Sequence, residues 1–113
     1  MAVTDVVQKQ LEAYNARDLE AFAATYADDV RLFRMPAAEP AVVGKAQLRE
    51  VYRQRFASPD LHADIVTRTV LGNKVIDHER VRGIREQLVE ALAIYEVEGD
   101  LIHTVWFFYP EKS

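Results

Sequence analysis

The stretch YNARDLEAFAATYADDVRLF, Tyr14 to Phe33, passes from helix to turn, to helix again and then to strand. Tyr14 closes a run in which Val3, Val6, Val7, Leu11 and Tyr14 recur at helical spacing, with Thr4 or Asp5 available as the cap. Asn15 to Asp18 breaks the pattern. Asp18 is placed to cap a second, short helix carrying Leu19, Phe22, Ala23 and Tyr26 on its apolar side, and Asp28 and Asp29 end it. From Val30 to Met35 the period shortens to two: Val30, Leu32 and Arg34 share one face of a strand, and Arg31, Phe33 and Met35 the other.

Further along, Pro36 and Pro40 bound a loop, and Gly44 precedes a third helical pattern with Leu48, Val51, Tyr52 and Phe56 as its stripe. Ser58-Pro59-Asp60 stops that helix. Strands are then expected over Leu61 to Leu71, over Lys74 to Arg82 after a Gly72-Asn73 turn, over Glu86 to Val97 after a turn or bulge at Gly83, and over Leu101 to Tyr109 after Gly99-Asp100. Ala91 to Ala93 favours a late start for the strand that contains it. The order α, α, β, α, β, β, β, β predicts an α+β fold, with three N-terminal-half helices packed on one side of a curved, mainly antiparallel sheet.

Composition bounds the function. The chain has 113 residues, 50% hydrophobic and 28% charged, which suits one soluble domain spanning 1–113. Fourteen Lys and Arg against eighteen Asp and Glu give a formal charge of −4, which argues against a broad basic face for nucleic acid or membrane. With no Cys, thiol catalysis, disulfides and Cys-ligated metals are excluded. The start MAVTDVVQKQ lacks the features of a secretory signal, and no apolar run approaches a membrane span, so a cytoplasmic location is expected. There is no GxxxxGK[ST] loop, no GxGxxG signature and no Ser-centred nucleophile elbow, so no cofactor is expected.

The Tyr14 to Phe33 stretch, together with VVGKAQLREVYRQRF (Val42 to Phe56) and IYEVEGDLIHTVWFF (Ile94 to Phe108), resembles the nuclear transport factor 2-like superfamily, also known as SnoaL-like or ketosteroid-isomerase-like proteins. That resemblance implies a cone-shaped α+β roll, related to the cystatin-like rolls, around a pocket closed by helices and commonly assembled as a homodimer. Its members include isomerases, cyclases, dehydratases, hydrolases and noncatalytic association modules, so it says little about activity. In ketosteroid isomerase a carboxylate moves a proton while a Tyr and a neutral Asp stabilise the dienolate oxygen. Laid on this chain through Asn15-Ala16 and Asp18-Leu19, those three positions fall on Gln10, Arg34 and near Ala93. The isomerase catalytic set is therefore missing, since Arg34 is no base at neutral pH and Ala93 has no donor.

Candidate chemistry lies in Val75-Ile76-Asp77-His78-Glu79-Arg80-Val81, where four ionisable residues interrupt a strand. Asp77 and Glu79 alternate with His78 and Arg80, and the family-style placement turns the carboxylates into the pocket. Burial would raise a carboxyl pKa and make a general acid or base, whereas a nearby Arg34 would favour the ionised form. The expected catalytic group is Asp77, Glu79 and Arg34, with Arg34 as an electrostatic clamp on a carboxylate or enolate. Noncatalytic pocket polarity and a structural ion-pair network remain open alternatives. On the last strand the family-style placement faces Thr104, Trp106 and Phe108 inwards, joined by Tyr95 and Tyr14, as a lining for a small apolar or amphipathic ligand or as plain core. The other face of that strand is expected to meet a second copy. His62, His78 and His103 show no metal-ligand spacing, so no metal is expected.

Overall fold

The four residues after Tyr14 tie the helices to the sheet. In the computed structural model, which describes residues 2–110, helix α1 (Val3–Ala16) ends at Arg17 in the left-handed conformation, φ 54°. Asn15 satisfies both backbone groups of Ala63: its Nδ2 donates to the carbonyl at 3.0 Å, and its Oδ1 accepts from the N–H at 2.8 Å. Asp18 accepts from the Ala21 N–H at 3.1 Å and caps α2 (Leu19–Ala23). Helix α1 itself is not capped by Thr4 or Asp5; Ala2 holds the cap position without a side-chain bond.

Tyr26 does not belong to α2 but opens β1 (Tyr26–Arg34). Asp28 and Asp29 therefore lie inside a strand, exposed where its register shifts between Tyr26 and Arg31. A two-residue strand, β2 (Val42–Val43), follows the proline loop and pairs antiparallel with β1. It is too short to show a period in sequence. Helix α3 (Lys45–Arg55) comes next, then β3 (His62–Leu71), β4 (Lys74–Arg82), β5 (Val89–Glu98) and β6 (Leu101–Phe108). β5 does start late, at Val89 rather than Glu86.

The strands form one sheet in the order β2-β1-β6-β5-β4-β3. β1 and β6 run parallel and every other neighbouring pair is antiparallel. This confirms an α+β fold on a mainly antiparallel sheet and corrects its expected shape. β2 and β3 are free edges at opposite ends that do not pair with each other, so the sheet is open and not strongly curved, and the cone-shaped roll is not formed.

The helices cover one face of the sheet through a cluster of rings. Phe22 sits 4.6 Å from Tyr52, 5.0 Å from Tyr26 and 5.2 Å from Phe56 between centroids, and Tyr14 lies 5.5 Å from Phe56. Burying a ring of this size contributes about 2 kcal/mol by area. At the far end of β4, Gly83 has φ +93°, and a Cβ there would stand 2.5 Å from Leu61 Cα. Only glycine lets the two backbones approach this closely, and the approach sets Ile84 over one end of the interior. Among the described residues, no helix is long and apolar enough to cross a membrane.

Candidate functional site

Strand alternation decides which charges face the interior. Val75, Asp77, Glu79 and Val81 of β4 are buried on the helix-covered side, while Ile76, His78 and Arg80 point the other way. Outside, His78 Nε2 meets Glu90 Oε2 at 2.6 Å. Inside, Asp77 and Glu79 lie opposite Ala93 and Ala91 of β5, two short side chains that leave room above the sheet.

The two carboxylates, about 7 Å apart along the strand, have different partners. Asp77, 1% exposed, is gripped by Arg68, whose Nε and Nη2 donate to its two oxygens at 2.7 and 2.9 Å. Arg68 Nη1 also donates to Gln8 Oε1 at 2.8 Å, linking the pair to α1. The expected Arg34 pairing is thus replaced by an Arg68 pairing. A one-residue bulge at Val66 is responsible: Ile65 lies opposite Glu79 and Arg68 opposite Asp77, so Arg68 turns onto the inner face.

Glu79, 9% exposed, has no hydrogen-bond or ion-pair partner within reach among the described residues. Burial, and then the charge of Asp77, push its pKa up to about 7, while Arg55 and Arg68 pull it back. A carboxyl poised there both gives and takes a proton at neutral pH.

Glu79 opens onto a cavity walled by Gln10 and Tyr14 of α1, Tyr52 and Arg55 of α3, Tyr95 of β5 and Phe107 of β6. Ile84 and Tyr109, both exposed, also line it. Its free space is about 30 Å³, enough for about two waters, so a larger guest enters only as wall side chains move. Burial keeps the hydroxyls of Tyr14 and Tyr95 protonated far above neutral pH, against the opposing charge of Arg55 at Tyr14. The guanidinium of Arg55 stacks over the Tyr52 ring, 5.0 Å from its centroid.

Tyr14 and Tyr95 are therefore in the cavity wall, but Thr104, Trp106 and Phe108 are not. They lie on the outer face, with Trp106 stacked on Phe33 at 6.3 Å. A bulge at His103 causes the reversal: Ile102 pairs with Val97 facing in, Thr104 pairs with Glu96 facing out, and from there Val105 and Phe107 face the core. Arg34 stands at the exposed end of β1, beside Tyr52, Arg55 and Tyr109 rather than the carboxylates. Arg55 and Arg68 were not singled out in the sequence; the one available signal was Arg55 lying three residues after Tyr52, on the same helical side. Among the described residues, no three His, Asp or Glu side chains are grouped to hold a metal ion.

The chain belongs to the SnoaL-like domain family, whose profile matches residues 7–105. No curated protein sequence matches it. Among solved structures, it is similar to an uncharacterized cystatin fold protein from Novosphingobium aromaticivorans (24% identity, 95% of this chain and 97% of that one, TM-score 0.87). It is also similar to an LEH-like epoxide hydrolase of M. tuberculosis (14%, 96% and 82%, TM-score 0.82). A third similar structure is a Catenulispora acidiphila protein with a ketosteroid isomerase-like fold in complex with trimethylamine (15%, 93% and 85%, TM-score 0.78). At these identities the likeness is one of fold.

The buried Glu79 carboxyl has a thermodynamic signature. Its folded pKa of about 7 lies above the usual 4.5, so the folded state binds the proton more tightly and is destabilised as pH rises between those values. The cost reaches about 3 kcal/mol above pH 7. Urea unfolding of Glu79→Gln should show a variant more stable than wild type by up to that amount at pH 8, with the advantage vanishing near pH 4. An equal difference at both pH values would mean that Glu79 carries no raised pKa.

Proposed function

We propose that this protein is a cofactor-free acid–base enzyme, of isomerase, cyclase or dehydratase type, acting on a small, partly apolar carbonyl or carboxylate compound. The observation that carries this reading is Glu79: a buried carboxyl without a partner, facing an aromatic-lined cavity, with a pKa near 7. Glu79 transfers the proton. Arg55, with the hydroxyls of Tyr14 and Tyr95 as neutral donors, offsets negative charge on the substrate oxygen. Asp77 acts at one remove, through the charge that raises Glu79, and Arg68 keeps it in place. The catalytic group expected from sequence is thereby narrowed to Glu79, with Arg55 taking the inner position first given to Arg34.

A noncatalytic ligand-binding or association module is the second reading, and the small free volume of the cavity favours its association form. The two separate in a proton-exchange assay. Small cyclic ketones incubated in D2O with wild type should lose their α-protons at a rate that Glu79→Gln lowers about 10²- to 10⁴-fold. Equal rates for wild type, variant and buffer would reject the enzyme in favour of the module.

The outer sheet face supports a homodimer as the working assembly. Phe33, Ile76, Leu92, Ile94, Trp106 and Phe108 form an apolar surface on the side that the helices leave bare. Light scattering should give a dimer mass for wild type and a monomer mass for Trp106→Glu. A wild-type monomer at all accessible concentrations would refute this assembly.

A further inference from the structure

Beyond the wall occupied by Tyr52 and Phe107 lies a second, separate crevice with about 10 Å³ free, formed by Leu32, Arg34, Tyr52, Arg55, Phe107 and Tyr109. Four of these residues, Tyr52, Arg55, Phe107 and Tyr109, line both spaces. The crevice therefore lies at the exposed end of β1, with these four residues between it and the chamber that Glu79 faces.

The crevice brings two arginines to one place. Lys45, Arg49 and Arg68 each meet a carboxylate, at 3.5, 3.0 and 2.7 Å. Arg34 and Arg55 have no acidic partner within ion-pair distance among the described residues, yet both line the same crevice and both act electrostatically on Tyr52. Arg55 is also half-buried, its guanidinium held against the Tyr52 ring. Two guanidinium groups in one crevice without an ion-pair partner among the described residues favour an anion between them, and their planar forks suit a carboxylate. The aromatic walls of Tyr52, Phe107 and Tyr109 suit a flat apolar body attached to it.

We infer that the ligand is a small carboxylate whose acid group lies between Arg34 and Arg55 in the outer crevice, while its apolar body displaces the rings of the shared wall and points towards Glu79. This inference rests on the acid–base reading for the orientation of the ligand, but the anion site stands on the arginines alone. Arg34, assigned to the catalytic group from sequence, becomes a binding residue at the entrance.

The test compares benzoate and phenylacetate with the neutral benzamide and phenylacetamide, titrated into ¹⁵N-labelled full-length protein while amide shifts at 52–56 and 105–107 are followed. The carboxylates should bind at least about tenfold more tightly than their amides, and Arg34→Met and Arg55→Met should each remove about tenfold from carboxylate binding while leaving the amides within about twofold. Arg34 is exposed, so its variant decides the matter even if Arg55→Met does not fold. Equal binding of acid and amide, an unchanged preference in Arg34→Met, or no saturable shift with any carboxylate at about 10 mM would overturn the proposal. Set beside the ketone proton-exchange assay, the titration separates the two readings. Carboxylate preference without ketone proton exchange keeps the anion site and rejects the enzyme, whereas exchange without carboxylate preference does the reverse.

Discussion

Two carboxyl groups point into the same interior from one strand, and only one of them is paired. Asp77 and Glu79 stand two residues apart on β4, so the alternation that buries one buries the other. Arg68 meets the first with two hydrogen bonds and is itself braced by Gln8. Among the described residues, nothing comparable reaches the second. A buried charge without a partner is costly, and the cheaper outcome is that it holds its proton. The unequal treatment of two neighbouring acids leaves one in an ion pair and the other with its pKa raised to about 7, the state that the proposed proton transfer uses.

The surrounding structure shapes the space that this group faces. Ala91 and Ala93 keep the sheet low beside the carboxyls, the rings of Tyr14, Tyr52, Phe22 and Phe56 close the helix side, and Gly83 brings the end of β4 against Leu61. Arg55 supplies positive charge across the cavity from the helix layer, as the lowering it exerts on Glu79 and Tyr14 shows. Arg55 thus serves two spaces at once, the inner chamber and the outer crevice it shares with Arg34.

Much of this was legible in the chain. The helix break at Asn15 to Asp18, the bounds of β4 and the shared face of Asp77 and Glu79 follow from period and capping, while the inward turn of that face and the family itself follow from the resemblance that these segments carry. The failures share a physical cause. Strict alternation from Ala63 sends Arg68 to solvent, and strict alternation from Ile102 sends Trp106 inward; single-residue bulges at Val66 and His103 reverse both. Nothing in the residue types at those two positions marks an insertion. The cone shape came from family resemblance rather than from these residues, and the open edges at β2 and β3 do not support it. Tyr26 was misread for a different reason: its spacing from Phe22 fits a helix, but α2 ends at Ala23 and the ring reaches the same aromatic cluster from the start of β1.

The central claim is that Glu79 is a neutral-pH proton carrier held in a buried position, unpaired among the described residues. Carbon-detected NMR of the glutamate side-chain carboxyls, assigned by comparison with Glu79→Gln and titrated from pH 3 to 9, reads that property directly. The expected result is a single Glu79 inflection at about 7, apart from the other glutamates. An inflection near the ordinary 4.5 would contradict it, showing a carboxyl that is solvated or paired in solution and leaving the cavity without an acid–base group.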